Sequence, residues 1–193
     1  MSIAPTPYRI LALVYSDGLA ADQIISNLGY KIRDARIAVA GLVQHNKFIR
    51  ERTRCNMELE ELASGMVLKI SEDRGEEARG CRIDRGAMSE AANLLSSSLE
   101  REPDLLILNK FGKLEAEGRG LRDILSDAVQ LGVPIVVGVP YRNIEQWRAF
   151  TGGLAEECPI ESNRGREWLL QQGFDLNRQI TNAAVVVNSA EVG

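Results

Sequence analysis

Apolar residues along this chain fall into two patterns: short unbroken runs, and longer stretches spaced three and four apart. The runs are Ile10–Tyr15 (ILALVY), 37–43 (IAVAGLV), Leu105–Leu108 (LLIL) and 133–139 (VPIVVGV). Continuous runs of this length mark strands covered on both faces. After the first run, Ala21, Ile24, Ile25, Leu28 and Ile32 follow helical spacing and leave Asp22, Gln23, Lys31 and Arg33 for solvent. Asp17 is placed to cap this helix, because a carboxylate accepts from the free amides of a first turn. Asp84 caps a second helix reaching about Leu99, with Met88, Ala92, Leu95 and Leu99 as its stripe. Leu121, Ile124, Leu125, Ala128 and Leu131 predict a third, closed by Gly132. Asn143 caps a short helix holding Trp147 and Phe150 and ending at Gly152-Gly153, and 164–172 reads as one more. Strands alternating with helices predict an α/β fold, a mainly parallel sheet flanked by helices with right-handed crossovers.

One region breaks the alternation. Residues 44–54 are polar and basic, and CNMELEELASGMVLKISE follows. Met57, Leu59 and Leu62, the Ser64-Gly65 turn, then Met66, Leu68 and Ile70 fit an antiparallel hairpin. The expectation is one domain over 1–193: an α/β core at 8–174 carrying a β-hairpin excursion at about 44–72, with a long surface loop as the alternative. Residues 1–7 read as a loose arm and 74–83 as a connector. Residues 175–193 read as a tail or a final strand at 183–187.

Composition narrows the classes. The chain has 193 residues, 45% hydrophobic and 26% charged, enough for one well-buried core. A net charge of -4 argues against a general nucleic-acid binder. There is no cationic start followed by an apolar core, and no run nears the ~20 residues of a membrane span, so a cytoplasmic protein without membrane insertion is expected. Three cysteines at wide spacing without CxxC do not make a disulfide framework or a zinc site. Cys55 and Cys81 each neighbour an arginine, which favours the thiolate of an exposed cysteine. They are the candidate reactive or soft-metal pair, with ordinary reduced thiols as the alternative. Cys158 precedes Pro159 in an expected loop. The single histidine, His45, rules out His-rich metal ligation and a Ser-His-Asp triad centred elsewhere.

Ligands of open α/β sheets bind beyond the carboxyl ends of the strands. That directs attention to Ser16, Asp17 and Gly18 after the first run and to NKFGKLEAEGRGL after the third. Strand, short glycine turn and helix is the layout of a phosphate loop, whose full form is GxxxxGK[ST]. With Gly18 as the shared glycine, Ala20 and Ala21 stand where glycine and lysine are required, and Asp22 stands on the magnesium-binding hydroxyl. An ordinary turn, an anion site and an active nucleotide hydrolase remain the alternatives. The later loop ends its strand in Asn109-Lys110 rather than in an acid. Its NK also lacks the aspartate of NKxD, because Gly112 stands there. Lys110 is then the cation facing the site. Lys47 to Arg54, with Arg79 and Arg82, supplies further positive charge suited to an oxyanion, or simply a solvated face.

The stretches GCRIDRGAMSEAANLL, DLLILNKFGKLEAEGRGL, VPIVVGVPYRNIEQWRAFTGG and CNMELEELASGMVLKIS resemble an uncharacterised bacterial family encoded beside molybdate-transport genes, over about 8–157. More distantly, residues 109–121 resemble small P-loop nucleoside triphosphatases that carry a β-hairpin insertion. On that match Gly112, Lys113 and Glu115 are retained, Asn109 and Lys110 replace acids, and Ala21 replaces the P-loop lysine. The resemblance implies a degenerate P-loop-like fold and a non-hydrolytic accessory protein of molybdenum metabolism that binds an oxyanion, molybdate, or a nucleotide. The expected ligand-binding set is Ser16, Asp17, Gly18, Arg82, Lys110, Gly112, Lys113 and Glu115. The alternatives are a nucleoside triphosphatase with a rearranged site and a protein-interaction module whose hairpin engages a transporter or cofactor-assembly protein. Association with a second copy of the chain is also in view.

Overall fold

The computed structural model describes residues 8–48, 55–71 and 83–176. Among them one sheet runs in the order β4-β3-β2-β5-β6-β1-β7. The parallel part comprises β1 (Ile10–Tyr15), β2 (Val39–Phe48), β5 (Leu105–Leu108), β6 (Ile135–Pro140) and β7 (Glu156–Pro159). Beyond β2, β3 (Cys55–Glu61) and β4 (Val67–Lys69) pair antiparallel. The result is a mainly parallel α/β sheet flanked by helices, compatible with a P-loop NTPase-like fold.

Each apolar run alternates between two cores. Leu106 and Leu108 face one, with α2 (Arg85–Leu99), α4 (Arg122–Gln130) and α5 (Ile144–Thr151). Leu105 and Ile107 face the other, with α1 (Gly18–Asp34) and α6 (Arg164–Gln171). Cover on both sides is why these strands carry almost no polar residue. β2 and β5 approach so closely that a Cβ on Gly41 would overlap the Ile107 carbonyl oxygen. Asp17 caps α1, accepting from Leu19 N at 3.0 Å and Ala20 N at 3.2 Å, and Asp84 caps α2 through Ala87 N.

Several expectations change. β2 does not stop at Val43; it continues through polar Gln44, His45 and Asn46 because β3 pairs along it, from Leu42↔Glu61 to Phe48↔Cys55. Cys158 lies in β7, an edge strand whose half-polar EECP sequence hides the usual apolar signal. The loop after β5 folds into the short helix α3 (Lys113–Ala116). Ile24 and Leu131 face outward. Asn143 makes no side-chain cap; its amide instead donates to the Phe111 carbonyl at 3.0 Å. The candidate strand at 183–187 lies outside the described residues.

Candidate functional site

The carboxyl ends of β5, β6 and β1 lie side by side, and α1 starts directly beyond β1. On the second turn of α1, Asp22 points into the protein. It is 5% exposed, against the expectation of a solvent-facing residue. The reason is that water has been replaced by protein donors. Asp22 Oδ1 accepts from Asn109 Nδ2 at 3.0 Å and lies 3.7 Å from Lys110 Nζ. Asp22 Oδ2 accepts from Asn46 Nδ2 at 2.6 Å and Gln44 Nε2 at 3.3 Å. A carboxylate offers about four lone-pair sites. Three hydrogen bonds and the Lys110 ion pair meet this one, from residues of β2 and from the end of β5.

Asn109 is itself buried, and its Oδ1 has no hydrogen-bond partner among the described residues. Asn109 and Lys110 are joined by a cis peptide bond. Tyr15, the last residue of β1, likewise keeps a buried hydroxyl without a partner. Burial chiefly, then the Asp22 charge, pushes this hydroxyl's pKa up, while Arg142 opposes them. Tyr15 also lines a second feature, a cavity of about 540 Å³ between the ends of β1 and β7. Ser16, Asp17, Tyr141 and Glu157 line that cavity.

The residues singled out from sequence divide between these places. Ser16 and Asp17 border the cavity, but the Asp17 carboxylate occupies the first amides of α1. Gly18 faces open space, so no close contact requires a glycine there. Lys110 joins the Asp22 cluster. Gly112 precedes α3 and donates its N–H to Glu115 Oε2 at 2.9 Å. Glu115 is buried, not displayed at a surface, and also accepts from Leu121 N at 3.0 Å. These bonds tie the two ends of the loop together. Desolvation raises the Glu115 pKa, with the Leu121, Glu115 and Gly112 amides and the Lys110 charge acting against it. Lys113 is exposed and lies 3.7 Å from Glu117. Cys81 and Arg82 lie outside the described residues, as does the side chain of Cys55.

Sequence reasoning missed Gln44, Asn46 and Asn109 as partners of Asp22. The available signal was weak: two carboxamides two apart in a strand, and one where an apolar run stops. A second polar cluster lies farther along α1. Tyr30 Oη donates to Glu60 Oε2 at 2.6 Å, His45 Nε2 lies 3.0 Å from the same oxygen, and Arg33 Nη1 donates to Glu60 Oε1 at 3.1 Å. Burial first, then the Glu60 contact, pushes the Tyr30 pKa up to about 12.

A family described as a protein of unknown function, DUF2478, matches residues 10–168. The chain belongs to this family. Over 189 residues, 96% of its length, this DUF2478 chain is 31% identical to the molybdenum import ATP-binding protein ModC 2 of Bradyrhizobium diazoefficiens. The chain spans about a fifth of that relative, 21% of its length. No solved structure matches. Among the described residues, no helix is long and apolar enough to cross a membrane.

Proposed function

We propose that this DUF2478 protein is a non-hydrolytic cytoplasmic binding protein that holds an oxyanion or a nucleotide at the carboxyl edge of its sheet. It serves molybdate handling as an accessory to a transporter or cofactor-assembly protein. One observation carries the reading. Hydrolytic P-loop enzymes hold magnesium between a hydroxyl on the first helix and an acid that ends a neighbouring strand. The side chains at the corresponding positions here are Asp22 and Asn109, and they hydrogen-bond each other directly at 3.0 Å. Ala21, buried and without a charge, stands where the phosphate-binding lysine is required.

The same edge keeps features of a binding site. A cavity of about 540 Å³ is of a size that accepts a small ligand. Ser16 and Asp17 border it, and Gly18 opens α1 next to them. Lys110, in the Asp22 cluster, supplies the cation of this edge, with Gly112 and Glu115 fixing the loop that carries it. Lys113, which is exposed, and Arg82 complete the proposed set. The similarity to a molybdenum import ATP-binding protein supports the molybdate context. The matched stretch is a fifth of that protein, which supports the role of a module that accompanies a larger assembly.

Titration calorimetry with molybdate, tungstate, sulfate, ATP and GTP tests the reading, paired with a phosphate-release assay in magnesium. Saturable binding of at least one ligand is expected, weakened about tenfold or more by Lys110→Ala, with no turnover of ATP or GTP. Absence of binding by all five would sink the binding role. Phosphate release abolished by Lys110→Ala would replace it with a hydrolase.

A further inference from the structure

Magnesium is the ion that the P-loop fold implies at this edge, and the residues present do not fit it. Magnesium takes oxygen ligands in near-ideal octahedral geometry at about 2.0–2.1 Å. Among the described residues Asp22 is the only carboxylate in the cluster, and both of its oxygens already have partners. Three of its partners are carboxamide N–H groups, two on Oδ2 and one on Oδ1, which leave only the side of Oδ1 that Lys110 faces. The fourth is the Lys110 ammonium, itself a cation.

We infer that Lys110 stands in the place of the divalent ion, as a built-in counter-charge for Asp22, so that this edge works without magnesium. Lys110 has the chemistry for it: an ammonium is a compact point charge on a flexible stem, free to approach a carboxylate from the loop above. Its side chain is 24% exposed, so Lys110 keeps contact with solvent while it pairs with Asp22. The Glu115 carboxylate, fixed by Gly112 N and Leu121 N, also feels the Lys110 charge. The anchoring is long-range on every side. Asp22 comes from α1, Gln44 and Asn46 from β2, and Asn109 and Lys110 from the end of β5.

For the ligand class, this extends the proposed binding role and rests on it. The anion taken at this edge is a free oxyanion or a nucleotide without its metal, because the charge that magnesium brings to a phosphate chain is already supplied by Lys110. The inference about the cation itself does not depend on any ligand, and its test is kept separate for that reason.

The probe is Mn²⁺ alone, followed by electron paramagnetic resonance on the whole chain without nucleotide or oxyanion. The wild type is expected to bind no Mn²⁺ at about 1 mM or below. Lys110→Met keeps the length of the side chain and removes its charge, leaving Asp22 and the free Asn109 Oδ1 to an incoming ion. Binding at least about tenfold tighter than wild type is expected, and lost again in the Asp22→Asn, Lys110→Met double variant. Cooperative thermal unfolding of each variant establishes that it is folded. Tight Mn²⁺ binding by the wild type that Asp22→Asn removes would overturn the inference. So would a folded Lys110→Met protein with no gain. Oxyanion binding that fails while the Mn²⁺ pattern holds would sink only the binding role.

Discussion

Asp22 and Glu61 are both almost fully buried, and both carboxylates are met by four partners, yet they are built in opposite ways. Glu61, at the end of β3, accepts from Ala63 N at 3.1 Å and from Ser64 N and Ser64 Oγ at 2.7 Å. Only Ser98 Oγ, at 3.0 Å from α2, comes from afar. Every partner of Asp22 is more than twenty residues away, and one is a cation. Glu61 closes the turn beside it and pins α2 to the hairpin. Asp22 joins three elements at the edge where ligands of such sheets bind. A buried carboxylate fed by its own turn is scaffold; one fed by side chains from several elements is a candidate for function.

Removing each acid gives the largest effects and can break this comparison. Asp22→Ala removes the acceptor shared by the buried Gln44 and Asn109 amides, the half-buried Asn46 amide and the Lys110 ammonium, and is expected to cost about 3 kcal/mol of stability. Glu61→Ala strands two backbone amides, which water can reach once the turn opens, and two hydroxyls that can rotate. About 2 kcal/mol is expected. Urea denaturation with matched slopes reads both. A Glu61 variant less stable than the Asp22 variant would show that the Lys110 contact adds nothing to the cluster.

The loop that carries Lys110 allows a finer cut. Gly120 has φ +67°, and a Cβ there would overlap the Glu115 carboxylate, with Cδ only 2.8 Å away. Gly132 has φ +71° and open space around the same position. Alanine at Gly132 meets backbone strain alone, about 1 kcal/mol. Alanine at Gly120 must also displace the side chain that ties Gly112 to Leu121, so about 2–3 kcal/mol is expected. Equal losses in the two variants would mean that Glu115 is free to move and does not hold the loop.

The same contrast between local and distant partners explains what the sequence discloses. Both faces of β1, β5 and β6 are covered, so their runs are apolar throughout and stand out at once. Asp17 and Asp84 cap their own helices, and a cap is a relation between neighbours. β7 escaped because an edge strand of four residues, Glu156–Pro159, need bury only part of itself. Asp22 escaped for the opposite reason. Helical spacing assigns it to solvent, and nothing near it in the chain reveals that Gln44, Asn46, Asn109 and Lys110 will replace that solvent. The sheet edge that carries the Asp22 cluster was legible, because strand ends are legible. Its charge arrangement was not, because it is made by contacts across the sheet.

The smallest expected effects come from acidity, where two further glutamates carry opposite signs. At Glu60, burial acts to raise the pKa, but the hydrogen bonds from Tyr30, His45 and Arg33 outweigh it and hold the pKa below the ordinary value. At Glu115, burial dominates and the pKa is raised. A depressed carboxylate contributes stability that is present above its ordinary pKa and is lost as pH falls through the folded-state value. A raised one contributes stability that is present below its ordinary pKa and is lost as pH rises through the folded-state value. Unfolding free energies measured between about pH 3 and 7 should therefore separate the pair. The wild-type advantage over Glu60→Gln should grow as pH rises, and the advantage over Glu115→Gln should shrink. Both variants keep a hydrogen-bonding side chain of the same length, so the pH dependence isolates the charge. Curves that move in the same direction would mean that the loop amides and Lys110 outweigh burial at Glu115. The Lys110 charge would then be shared between two acids rather than committed to Asp22.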